Sequence, residues 1–296
     1  MSSAFGKVIL LGEHAVVYGY AAIAGAIDRR AHCAVEPITT GPSRLDVPDW
    51  NLSVHAGDGV AGAALERLIV GAGVTGPVAV NVRSDLPPAA GLGSSAALSV
   101  ACARALCEHA GSAADVEAMA NDAERCFHDN PSGIDVALAA HGGLGVYVRG
   151  QGLTRIAAQP LAIAVGLTGR ARNTADMVRR VRDRLERNPS SGGKALRALG
   201  DAADRGKAAL EAGDDAQLGR AMLAAQDLLA QFGLTTPEIE TMVKAAADRG
   251  ALGAKLTGAG GGGAVIALFP GRETDIVQVW RDLGFEGFVC RVGVTE

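Results

Sequence analysis

Along the first third of the chain, apolar residues come in short blocks whose length and β-branched content predict strands: Lys7–Leu11, Ala22–Ile27, Ala31–Val35 and Val78–Val82. From residue 96 the period lengthens. Ala96–Ala110 predicts a helix that stops at Gly111, and within Asp115–Phe127 the residues Val116, Ala120, Ala123 and Phe127 share one face of a second helix. Pro131 and Gly133 break that pattern, a short helix resumes over Ile134–Ala140, and Leu144–Val148 reads as a strand after Gly142-Gly143. Leu161–Leu167 predicts a buried strand, and Asn173-Thr174 opens a helix whose Val178, Val181 and Leu185 face one way. Two Ala/Leu-rich helices are expected across 193–232 and a third over Pro237–Arg249. Gly253–Phe269 passes through a glycine loop into a strand, and the chain closes with a helix over Asp275–Leu283 and a strand over Gly287–Val294.

This pattern predicts mixed α and β structure, and 296 residues exceed the usual single domain, so two units are expected, 1–150 and 151–296. The 48% hydrophobic content is mostly Ala and small aliphatics, with 4% aromatic residues. A formal net charge of −4 argues against a nucleic-acid binder, which would carry a basic face, and points to small-molecule partners. The longest uncharged stretch, Leu86 to Ala103, holds two prolines, two glycines and three serines and so cannot be a plain membrane-spanning helix. The N-terminal residues lack a basic region followed by an apolar core, and a cytoplasmic protein with no membrane partner is expected. Cys33, Cys102, Cys107, Cys126 and Cys290 form no CxxC pair and read as reduced core thiols.

Pro88-Ala89-Ala90-Gly91-Leu92-Gly93-Ser94-Ser95-Ala96 is a glycine loop with two hydroxyls that opens into an alanine-rich helix. Its glycines let backbone N–H groups turn toward an anion, the helix start adds unpaired donors, and one serine can cap the helix while the other reaches a metal between phosphates. Gly91-x-Gly93-x-x-Ala96 and Gly258-x-Gly260-x-x-Gly263 also fit the dinucleotide fingerprint, but a proline loop precedes the first and a strand follows the second, where a strand then a helix is required. In Lys255 to Ala264, four consecutive glycines flanked by apolar segments imply close approach to the backbone. Lys7 lies on a strand that ends in Gly12-Glu13-His14. Glu124 and Asp135 flank Pro131-Ser132-Gly133, a break that lets the chain reverse and bring both carboxylates to one pocket.

Together, Gly12–Gly19, Pro88–Ala97, Asn130–Asp135 and Lys255–Gly263 resemble the motifs of the GHMP small-molecule kinases, and Gly-Glu-His-Ala-Val-Val-Tyr-Gly resembles the members that act on mevalonate rather than galactose. Residues 36–76 and 188–235 add no diagnostic motif. The resemblance implies an α+β two-lobe fold, an N-terminal ribosomal-S5-like domain and a C-terminal ferredoxin-like domain with the active site between them. It implies transfer of the γ-phosphoryl group of ATP, with Mg²⁺, to the 5-hydroxyl of mevalonate. Pro88 to Ala96 with Gly258, Ala259 and Gly260 would bind the nucleotide, Ser95 and Glu124 the metal. Asp135 would take the hydroxyl proton beside Lys7, and Glu13, His14, Arg172 and Thr174 would contact substrate. A homodimer is the family expectation. A related kinase acting on phosphomevalonate, the 3-hydroxyl or a sugar, or an ATP-binding regulator without turnover, stays open. Asp129 and Gly166–Gly169 depart from the family pattern, and the arginine run Arg179, Arg180, Arg182, Arg184 and Arg187 reads as a solvated helix face.

Overall fold

The computed structural model describes residues 1–127, 133–171 and 173–296. Its first strand, β1 (Ser2–Leu11), pairs antiparallel along β2 (Ala22–Pro37), which serves as the hub of the sheet. The sequence predicts two strands here. The structure has one, because the polar interruption Asp28-Arg29-Arg30 is accommodated by stacking Arg29 over Phe288 and Arg30 over Phe5 while β1 shifts register between Phe5 and Gly6. Opposite β1, β2 pairs with β5 (Val78–Ser84) and with β6 (Leu144–Val148), and β6 carries β7 (Gly152–Arg155). β3 (Arg44–Val47) and β4 (Leu52–His55) extend the sheet beyond β5.

The later strands β8 (Leu161–Leu167), β9 (Gly253–Thr257), β10 (Ala264–Leu268) and β11 (Glu286–Val292) run in the order β11-β8-β10-β9. They join the earlier ones where Val292 pairs with Ile27, so the main path reads β4-β3-β5-β2-β11-β8-β10-β9. Between them lie α1 (Gly59–Ala72), α2 (Ser94–Ala110), α3 (Val116–Phe127) and α4 (Ile134–His141) in the first half. α5 (Thr174–Arg187), α6 (Pro189–Ala212), α7 (Asp215–Gln231), α8 (Pro237–Asp248) and α9 (Glu273–Asp282) follow in the second. Mixed α+β structure is therefore as expected.

α2 is the helix that positions the site. Ala96, Ala97, Ala101, Ala103 and Ala105 are buried, and side chains this short let the helix pass closely between the sheet, α1, α3 and α4. α1 falls in the segment that carried no prediction. It is helical because it packs a small-residue face, and a Cβ at Gly62 would stand 2.2 Å from the His55 carbonyl. α6 begins before the predicted residue 193, since Gly192 seats against Leu185 rather than ending the helix. α5 starts where expected, with Asn173 Oδ1 accepting from the Asp176 amide at 3.3 Å. Its arginines are exposed, as the reading of a solvated face requires. The five cysteines are unbridged. Among the described residues, no helix is long and apolar enough to cross a membrane.

Candidate active site

β1 and the loop before α2 lie against each other. The Lys7 amide donates to the Leu92 carbonyl at 2.9 Å, and Lys7 is 5% exposed, so a residue that sequence alone allows on the surface is built into the interior. Its ammonium reaches across to α4 and stands 3.2 Å from Asp135 Oδ1, whose side chain is 37% exposed and open to a ligand. Gly133, in the left-handed conformation, opens α4 and sets Asp135 in the helix's first turn, where the helix dipole favours a carboxylate.

The loop itself is sharply turned. Gly91 and Gly93 have φ of +86° and +71°, and Ala89, a residue with a side chain, is held at +57°. Left-handed backbone at a non-glycine residue costs free energy and concentrates at ligand sites. Neither serine caps α2, contrary to the sequence expectation. Gly93 occupies the cap position, so Ser94 and Ser95 are already helical and the first amides of α2 keep their hydrogen-bonding capacity for an anion. The Ser95 hydroxyl turns sideways instead and donates to Glu124 Oε2 at 3.0 Å, while Ser99 donates to Glu124 Oε1 at 3.0 Å.

Glu124 is therefore no solvated glutamate. It is 2% exposed, and burial pushes its carboxyl up to about 7 against the lowering effect of the two serine hydroxyls; the Asp135 charge adds to the rise and Lys7 opposes it. Ser95 Oγ and Glu124 Oε2 are two hard oxygens on facing helices, a donor set that suits Mg²⁺, and a divalent cation there would offset the cost of ionising a buried carboxyl. Among the described residues, no group of three or more His, Cys, Asp or Glu could enclose a metal, so phosphate and water oxygens would complete such a shell. Sequence reasoning missed Ser99; its spacing of four from Ser95 on a helix is the signal that could have found it.

The third motif joins β9 to β10 as a hairpin whose loop residues Gly258, Gly260, Gly261, Gly262 and Gly263 all have positive φ. A Cβ at Gly260 would stand 2.5 Å from the Leu234 carbonyl and one at Gly262 2.6 Å from the Arg170 carbonyl, which is the close approach that the glycine run implies. This loop is tied to the first motif. Thr257 Oγ1 accepts from the Ile9 amide at 3.1 Å and donates to the Ile9 carbonyl at 2.9 Å, and His14 Nε2 lies 2.8 Å from the Ala259 carbonyl.

The substrate residues expected from sequence are placed unevenly. His14 is buried beside the glycine loop with a positive φ of 60°. Glu13 is wholly buried and paired with Lys255, which leaves its carboxylate no surface exposed to solvent. Thr174 is exposed at the start of α5, three residues before Met177, which packs against Gly261. Arg172, and Asp129 to Ser132 of the segment before Asp135, lie outside the described residues.

Family models match both halves of the chain: the GHMP kinases N terminal domain over residues 59–143 and the GHMP kinases C terminal over residues 207–285. Among curated relatives, a mevalonate kinase of Aeropyrum pernix is 39% identical over 93% of this chain and 90% of its own length. A mevalonate kinase of Pyrococcus abyssi is 32% identical over 99% of this chain and 95% of its own. The crystal structure of L. major mevalonate kinase in complex with R-mevalonate superposes with a TM-score of 0.88 at 29% identity, covering 99% of this chain and 95% of that one. Sequence likeness of this extent, over nearly the whole chain and with family models in both halves, means that the chain belongs to the GHMP kinase family.

Proposed function

We propose that the protein transfers the γ-phosphoryl group of ATP to the 5-hydroxyl of (R)-mevalonate, giving 5-phosphomevalonate and ADP for isoprenoid precursor biosynthesis. The observation that carries this reading is the 3.2 Å contact of Lys7 with Asp135 beside the Gly91–Ser95 loop, which sets an acid–base couple next to an anion cradle. The names of its relatives supply the alcohol.

Phosphoryl transfer asks chiefly for alignment and for compensation of spread negative charge. The loop from Pro88 to Ala96, through its backbone amides from Ala89 onward, and the amides of Gly258, Ala259 and Gly260 hold the nucleotide, the former backed by the α2 dipole. Asp135 accepts the proton of the attacking hydroxyl, and the Lys7 ammonium offsets charge that develops on the alcohol oxygen. Ser95 and Glu124 would hold Mg²⁺, which would supply positive charge to offset that of the phosphate oxygens. His14 and Thr174, with Arg172 by resemblance, shape the mevalonate side. The two catalytic lobes divide near residue 150, and the resemblance further implies a cytoplasmic homodimer.

The test is an acceptor panel with purified protein, ATP and Mg²⁺: mevalonate, phosphomevalonate and galactose, with each product identified by NMR. Phosphorylation of mevalonate at the 5-hydroxyl is the expected result. Product carrying phosphate on the 3-hydroxyl, turnover of another acceptor in preference, or nucleotide binding with no transfer overturns it.

A further inference from the structure

Among the described residues, one ion pair has both side chains entirely out of solvent: Lys255 on β9 and Glu13 just beyond β1. The Lys255 ammonium also donates to the Leu256 carbonyl at 2.6 Å, and Glu13 Oε2 is buried with no hydrogen-bond partner. We infer that Lys255 is a positioning residue for phosphoryl transfer, acting through Glu13 to hold the β1 end of the site in register with the glycine hairpin. The inference rests on the kinase reading above.

A buried ion pair is poor evidence for stability, because withdrawing two charges from water costs about as much as their attraction returns. Burial raises the Glu13 carboxyl and lowers the Lys255 ammonium from their ordinary ranges, and each is drawn back chiefly by the other. A costly pair with an unsatisfied oxygen points to what it joins. Lys7, which touches Asp135, lies six residues before Glu13; Ala259, in the nucleotide loop, lies four after Lys255. Among the described residues, links cross this seam from Ile9 to Thr257, from Glu13 to Lys255 and from His14 to Ala259, and the ion pair is the charged one. The chain is pinned beside both of its ends. Gly12 is in the left-handed region with no room for a Cβ, which would meet the Ala21 carbonyl at 2.3 Å, and Gln226 Oε1 accepts from the Leu256 amide at 2.9 Å. Glu13 turns toward Lys255, and the seam fixes how the loop that holds the nucleotide faces the strand that carries Lys7. Small errors in that facing are expressed in turnover more than in binding.

The experiment compares Lys255→Met, Glu13→Gln and the double variant Glu13→Leu/Lys255→Met with the wild type, reading Tm, kcat and both KM values. Lys255→Met strands a buried carboxylate and loses stability. The double variant removes both charges and recovers Tm, yet its kcat stays at least about tenfold below wild type with KM for ATP and mevalonate within about threefold. A pair that only supports the fold gives wild-type kcat once Tm recovers, and that result overturns the inference. Should the double variant stay unstable, Glu13→Gln decides, since it keeps the side-chain shape: a kcat loss of about tenfold with unchanged KM supports positioning. A raised KM for mevalonate at unchanged kcat returns Glu13 to the substrate pocket and overturns it. The acceptor used is whichever one the wild type phosphorylates, so a wild type that ignores mevalonate defeats the proposed function while the alignment result is still read.

Discussion

Gly93 lies directly against Lys7: a Cβ built on Gly93 would stand 2.8 Å from Lys7 Cγ, and the glycine's φ of +71° already disfavours any side chain. The same lysine donates its amide to Leu92, so the glycine loop before α2 and the strand that carries Lys7 share one contact surface. Gly93→Ala is accordingly expected to cost about 1–2 kcal/mol of stability from left-handed strain. It also displaces the ammonium from Asp135. Turnover should fall by about tenfold or more while the protein stays folded at assay temperature, a misplacement effect measured by comparing kcat with the thermal midpoint.

Asp135 sits 37% exposed in the first turn of α4, reachable by an alcohol and already aligned by Lys7. Asp135→Asn keeps the shape and removes the basic oxygen, and the expected loss in kcat is about 10²–10⁴-fold, the usual contribution of a positioned general base. Its KM values should change little. Lys7→Met should fall in the same direction. An Asn variant that retains a tenth of wild-type turnover would strip Asp135 of the role.

Much of this arrangement is legible in the sequence. Glycine and hydroxyl residues disclosed the loop before α2, and Asn173 disclosed the start of α5, because turns and caps are local events written in neighbouring residues. α1 was not legible. Its buried face, Gly62, Ala64, Leu65, Leu68 and Ala72, is made largely of small residues that carry weak periodicity, and only the carbonyl of His55 explains why Gly62 must be glycine. β2 was split for a similar reason, since Arg29 and Arg30 look like a turn until Phe288 and Phe5 are set beneath them. In the site, the residue types were readable one by one. That Glu124 is buried under Ser95 and Ser99, and that Glu13 faces Lys255, depends on contacts between residues 25 or more apart in the chain, which no local pattern records.

Glu124→Gln tests the proposed metal site. The amide can still meet Ser95 and Ser99, which now lie 3.0 Å from the carboxylate oxygens, so the helix pair stays packed and the loss is confined to charge. Mg²⁺ binds hard anionic oxygens and loses most by exchange of a carboxylate for a neutral amide. The Mg²⁺ concentration for half-maximal rate should rise by about tenfold or more, given that one carboxylate supplies much of the protein's share of the site. Ser95→Ala should show a smaller rise in the same assay. Chelation of Mg²⁺ should abolish transfer in the wild type, and an unchanged Mg²⁺ curve for the Gln variant would place the cation elsewhere.

The hairpin that carries the third motif is supported from below by a backbone contact, and this gives a prediction on stability alone. Gly219 in α7 crosses β9 so closely that a Cβ there would stand 2.4 Å from the Leu252 carbonyl, and one at Gly253 would stand 2.7 Å from the Gly219 carbonyl. Helix propensity by itself favours Ala over Gly by about 1 kcal/mol in a helix interior. Overpacking against backbone costs about 1–3 kcal/mol and has no flexible side-chain end to yield. The second effect wins, and Gly219→Ala should lower stability in urea or thermal unfolding although an isolated helix would gain. Because the displaced strand is β9, which runs into Thr257 and the glycine loop, the loss should be accompanied by a weaker hold on nucleotide, read as a raised KM for ATP at unchanged KM for the acceptor. A more stable Ala variant would mean that α7 can slide away from β9, and that the hairpin is not seated on it.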